Sequence, residues 1–228
     1  MPAPSEPSEP SARPTPSARS ESSRSSPPVG ATPLTLDLVL TVRHDGQGGV
    51  ADDLDTPDGL TAWVRDHAAA LPGALAARRY RADADALERV RSVRAAVRAL
   101  FAHAVRPGEP SPADARTLLP HAEAVTRLNE AAARVPTVPV LTWRRDGEPT
   151  VRDEPARDAP RADLLDAALA RAALAFLTGP DRPRLRACHG PRCVRYFLKD
   201  HPRQEWCKPA CGNRARVARH HERARGPA

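Results

Sequence analysis

The chain has 228 residues, 40% hydrophobic but only 4% aromatic, with 35 basic and 28 acidic side chains. That length suits one domain of ordinary size plus a small module, and excludes several large domains. No apolar run approaches the roughly 20 residues needed to cross a bilayer, and the first residues lack a charged start followed by an apolar stretch. A reducing, cytoplasmic setting is therefore expected, where clustered cysteines favour metal over disulfides.

Residues 1–32 are Ser, Pro, Glu and Arg with almost no apolar content. Such a segment cannot bury enough surface to offset its ordering entropy, and a disordered tail is expected. Order should begin at Leu34, where apolar side chains at 34, 36, 38, 40 and 42 have the period of a strand. Val39 breaks the polar face, and the run could equally be a short buried helix. Thr56 and Pro57 are an N-cap and first helical residue, followed by Leu60, Trp63, Val64 and His67 at helical spacing.

A long amphipathic helix is predicted over about 83–105, with Leu87, Val90, Val93, Val97, Leu100, Phe101 and Ala104 on one stripe. Pro107-Gly108 ends it. Ser111-Pro112 then caps a helix running through Ala115, Leu118, Leu119, Ala122, Val125, Leu128 and Ala132, with Pro120 placed to split it. Val138 to Trp143 and Thr150-Val151, around Asp146-Gly147, read as a hairpin, with Trp143 packing on the helices. An alanine-rich helix over about 161–178 closes at Gly179-Pro180. The fold class is α+β: a mostly helical domain over 33–179 with a short hairpin, then a small module over 182–225.

All four cysteines lie in that module, as C-x4-C-x13-C-x3-C: Cys188, Cys193, Cys207 and Cys211. Two close thiolate pairs are what one tetrahedral structural zinc ion needs, and a complete four-sulfur site leaves no position for a catalytic water. His189, His201, His220 and His221 are then surface or phosphate contacts. Thiolate-bound zinc can be released by oxidation, and the spacing does not separate a redox sensor from a structural site. A module this small cannot build a full core, so metal must supply folding free energy, with Val194, Tyr196, Phe197, Leu198 and Trp206 packed around it.

From 182 to 225 the chain carries 13 basic and 3 acidic residues, while the rest carries 22 and 25. The basic excess belongs to the cysteine module, an electrostatic footprint for a polyanion. Cys211 should sit in the first turn of a helix whose Arg216, Arg219, His220 and Arg223 share a face, with Ala215, Val217 and Ala218 towards the knuckle.

Cys188-x4-Cys193, Phe197, Asp200, Trp206-Cys207-x3-Cys211-Gly212-Asn213-Arg214, a histidine at 220 or 221, and Arg223 together resemble the CGNR zinc finger. The upstream part is similar to the ABATE domain that precedes this finger. Leu36 to Val42 resembles its L-D-x-x-N-T-x opening, and Asp53, Leu54, Thr56, Pro57, Leu60 and Trp63 match the segment after it. Leu128-Asn129-Glu130-Ala131 and Pro139 to Trp143 match later positions. The family's usual Asn is replaced by Leu40. The resemblance implies a bacterial, stress-induced transcription regulator with a DNA-binding finger and a sensory domain.

The expected function is therefore zinc-dependent binding of double-stranded DNA by the basic helix at 212–225. Arg214, Arg216, Arg219 and Arg223 are candidate base and backbone contacts, and Arg192, Arg195, Lys199, Arg203 and Lys208 candidate phosphate contacts. The 33–179 domain is expected to dimerise or to bind a small-molecule effector, with Asp37 and Trp63 as candidate pocket residues. No membrane partner is expected, and the setting is the nucleoid. The alternative is a protein-interaction or RNA-binding finger without sequence-specific DNA recognition. An enzyme is not expected, because His44-Asp45 and His67 lack a nucleophile or a metal-ligand context.

Overall fold

A computed structural model describes residues 32–47, 49–114 and 118–225. The expected tail, Thr32 apart, and the helical position of Ala115 lie outside them. The described residues form six α-helices and three antiparallel two-stranded sheets, as α+β implies. In chain order they are α1 (Leu34–Leu40), β1 (Val42–His44), β2 (Val50–Asp52), α2 (Pro57–Asp66), α3 (Ala84–Ala104), α4 (His121–Ala133), β3 (Thr137–Thr142), β4 (Thr150–Pro155), α5 (Arg161–Thr178), β5 (Leu185–Ala187), β6 (Tyr196–Leu198) and α6 (Pro209–Arg225).

The first element is a helix, which corrects the strand reading of 34–42. Thr35, Leu36, Leu38 and Val39 are all buried, a pairing of adjacent positions that fits a helix turned against α3 and α5. Val39, the residue that broke the alternation, is fully buried. Leu40 ends the helix and packs partly buried on the core. The turn beneath it is closed by Thr41, whose Oγ1 donates to the Leu38 carbonyl at 2.7 Å.

Thr56 caps α2 as expected, its hydroxyl accepting from the Gly59 amide at 3.1 Å, with Pro57 at the first helical position. Asp83 caps α3 in the same way, accepting from the Ala86 amide at 2.8 Å. The stripe of α3 is buried from Leu87 to Phe101, with Ala104 partly buried. Each fully buried Leu, Val or Phe there contributes about 1.5–3 kcal/mol of transfer free energy. Pro120 does not split a helix: Pro112–Asp114 is a single 3-10 turn and α4 begins only after Pro120. Proline lacks the amide a helix interior needs and suits the residue just before one. Helices α3, α4 and α5 pack together, and α1 closes one side.

Strands β3 and β4 form the expected hairpin, Leu141 facing Val151 and Thr142 facing Thr150. Trp143 does not pack on the helices. It is 67% exposed, and Leu141 and Val151 beside it are each 60% exposed.

Two arginines lie inside the bundle. Arg94 reaches from α3 to both oxygens of Asp52, at 2.5 and 2.6 Å, and to Thr41 Oγ1 at 2.7 Å. Burial opposes ionisation of Asp52, but hydrogen bonds from Arg94 and the Leu54 amide hold it below its ordinary value. One turn on, Arg98 donates to Asp114 at 2.7 Å and to the Val39 carbonyl at 2.9 Å.

Candidate metal centre and nucleic-acid interface

Six residues separate the end of α5 from β5. Strand β5 leads directly to Cys188, and the Cys188 amide donates to the Arg195 carbonyl at 2.9 Å, closing the first knuckle. Cys193 follows Arg192, which has a positive φ of 62°, and its amide donates to the Gly190 carbonyl at 2.9 Å. Cys207 and Cys211 flank the start of α6, so Cys211 lies in the first helical turn as expected.

The four sulfurs all lie within 4.8 Å of one another. Cys207 Sγ is 3.6 Å from both Cys193 Sγ and Cys211 Sγ. A tetrahedral zinc with Zn–S bonds near 2.3 Å sets sulfur–sulfur edges of about 3.8 Å, so the cage has the size the ion needs. Its electrostatics agree. Hydrogen bonds from Cys193 and Cys207 pull the Cys188 thiol down to about 2, while sharing with Cys188 pushes Cys193 up to about 11 and raises Cys207. Four sulfurs this close accept one negative charge and resist the next, and a divalent cation removes that resistance. The residues fit one zinc ion, which supplies cross-linking and no reactive position.

Two glycines allow the close packing around the sulfurs. A Cβ on Gly190 would stand 2.8 Å from Cys211 Cβ, and one on Gly212 would stand 2.9 Å from the Trp206 ring. Phe197 and Trp206 cover the cysteines. The other finger residues do not: Tyr196, with Leu185 and Ala187, belongs to the main core. Tyr196 stands edge-on to Phe101, ring centroids 5.5 Å apart, and its hydroxyl donates to Asp114 Oδ2 at 2.7 Å. Ser111 Oγ donates to the Val194 carbonyl at 2.8 Å. The finger is thus seated on α3 through a buried Arg98–Asp114–Tyr196 chain, which no local sequence pattern signals.

Arg214 is turned inward. Its guanidinium donates to Cys211 Sγ at 3.1 Å and to the Pro191 carbonyl at 3.0 Å, tying helix to knuckle. Asn213 accepts from Arg216. Arg216, Arg219 and Arg223 are exposed along α6, as are Arg192, Arg203 and Lys208, while Arg195 and Lys199 are half-buried. Ala215 is buried and Ala218 half-buried, but Val217 is 56% exposed and faces away from the knuckle.

Asp37, Trp63 and His67 come together on α1 and α2. His67 Nε2 is 3.6 Å from Asp37 Oδ2, and its ring stacks on Trp63 with centroids 4.2 Å apart. The Asp37 carboxylate raises His67 above its ordinary value. Trp63 is buried as a core residue. His44 lies apart from this group, its Nδ1 accepting from the Gly46 amide at 2.7 Å.

The ABATE family, described as "Putative stress-induced transcription regulator", matches residues 32–180. The chain belongs to the ABATE family. Residues 184–224 match the CGNR zinc finger, so the ABATE part and the finger meet within the short connection after α5. No curated protein matches the chain. Among the described residues of this ABATE protein, no helix is long and apolar enough to cross a membrane.

Proposed function

We propose that the chain is a zinc-dependent transcription regulator, stress-responsive, that binds double-stranded DNA at the nucleoid through α6. The observation that carries this reading is the unpaired charge of the finger. Among the described residues, Arg216, Arg219 and Arg223 make no ion pair, nor do Arg192, Arg195, Lys199, Arg203 and Lys208. A row of exposed guanidinium groups without carboxylate partners suits phosphates and guanine edges. The family description and the local basic excess support the same reading.

In this reading Arg216, Arg219 and Arg223 face the groove, and the knuckle cations contact phosphates. Arg214 holds the helix to the metal cage. The 32–180 region dimerises or binds an effector, and the exposed Leu141, Trp143 and Val151 supply an apolar surface for a second copy. Replacing Arg216 and Arg219 together by Ala should weaken duplex binding at matched salt and reduce the slope of log affinity against log salt by roughly 2. Zinc content should not change. Unaltered DNA affinity would remove α6 as the reading helix, and preference for RNA of equal length would move the assignment to RNA.

A further inference from the structure

A cleft between α3, α4 and α5 has the composition of a ligand site. Its volume is about 220 Å³, and its floor is Leu100, Leu128, Leu174 and Leu177. Val125, at the mouth, is 37% exposed. The polar groups are His103, His121, Asn129 and Arg182, and no carboxylate is among the lining residues. The His103 and His121 rings stand 4.4 Å apart, centroid to centroid. Neither Asn129 nor Arg182 makes a side-chain hydrogen bond or ion pair with any described residue.

We propose that this cleft binds a small monocarboxylic acid with an apolar body, its hydrocarbon on the leucine floor and its carboxylate on Arg182. The charge decides the class. Arg182 is the one permanent charge lining the cleft, and a guanidinium fork pairs with a carboxylate through two parallel hydrogen bonds. Asn129 and the two imidazoles offer further polar contacts at the rim. The apolar floor has no use for a sugar or a nucleotide, and the volume lies below the usual range of pockets for drug-sized ligands.

The placement of Arg182 gives such a ligand a consequence. Arg182 opens the 3-10 turn Arg182–Arg184, which runs into β5 and Cys188. An acid held there ties the helical cleft to the entry of the finger. Binding itself does not depend on the proposed DNA reading; only its regulatory consequence rests on that reading.

The test uses the full zinc-loaded chain without DNA, so its outcome is separable from that of the DNA experiment. Binding of 4-phenylbutyrate and octanoate is followed by calorimetry and by histidine ring NMR signals, with 4-phenylbutan-1-ol as the uncharged control. Saturable binding of an acid, at least about tenfold tighter than the alcohol, is expected. Arg182→Gln should abolish that preference while leaving zinc content and circular dichroism unchanged. Val125→Asp, which sets a carboxylate at the mouth, should weaken the acids and spare the alcohol. Absence of saturable binding by either acid at millimolar concentration would overturn the proposal. So would acid binding indifferent to both substitutions.

Discussion

The hydroxyl of Tyr196 donates a 2.7 Å hydrogen bond to Asp114, 82 residues earlier in the chain. One partner belongs to the finger and the other to the helical region, and Arg98 occupies the second oxygen of the same carboxylate. Tyr196→Phe removes only the hydroxyl and leaves that oxygen and the Ser111 amide short of a partner. It should lower stability by about 1–3 kcal/mol in denaturant unfolding. Arg98→Met leaves a buried carboxylate without its cation and should cost more, about 3–5 kcal/mol.

Zinc removal should destabilise more than the finger. Leu185, Ala187 and Tyr196 lie in the main core, so opening the knuckle exposes surface of α3 and α5. Calorimetry with and without a strong chelator should show one transition that moves down in temperature. Two separate transitions in the chelated protein would mean that the finger unfolds alone.

Arg214→Gln should weaken zinc by about 10- to 100-fold, the usual effect of losing a group that orients a metal ligand. The guanidinium both donates to Cys211 Sγ and holds the knuckle carbonyl of Pro191. Competition against a chromophoric chelator measures the loss. Affinity equal to the parent's would show that the sulfur contact contributes nothing.

Asp166 on α5 sets a pH dependence. Burial pushes its carboxyl from 3.8 up to about 6, against the pull of Arg89 and Arg134. The folded state therefore holds a proton that the unfolded chain has lost, and stability falls as pH rises between those values. Asp166→Asn should flatten that fall and raise stability near about pH 8 by up to about 3 kcal/mol. His67 has the same sign over a higher window. Its raised value adds stability that is full below 6.5 and lost as pH rises through the folded value. Asp166→Asn should leave that part of the profile in place, and thermal melts across the range separate the two.

What was legible in the sequence was local chemistry. The Thr56-Pro57 cap, the α3 stripe and the cysteine spacing each depend on residues a few positions apart, and each stands as read. The short elements were ambiguous because seven residues do not distinguish a strand from a helix buried on adjacent positions; packing of α1 on α3 and α5 decided it. Trp143 was misplaced because apolar alternation says that a strand has an apolar face, not that anything covers it. The inward turn of Arg214 and the burial of Arg94 and Arg98 had no periodic signal, since each is set by a partner distant in the chain or by the folded knuckle.

Between the last residue of α5 and the first of β5 there are only six residues, and the strand they reach is sunk in the helical core. The arginine face of α6 is therefore carried at a set bearing rather than on a tether. Where two copies of the chain stand together, the gap between their reading faces is a property of the bundle, like the span of a pair of callipers. Base-pair insertions between two recognised half-sites should then be poorly tolerated, because no slack exists in the protein to follow them.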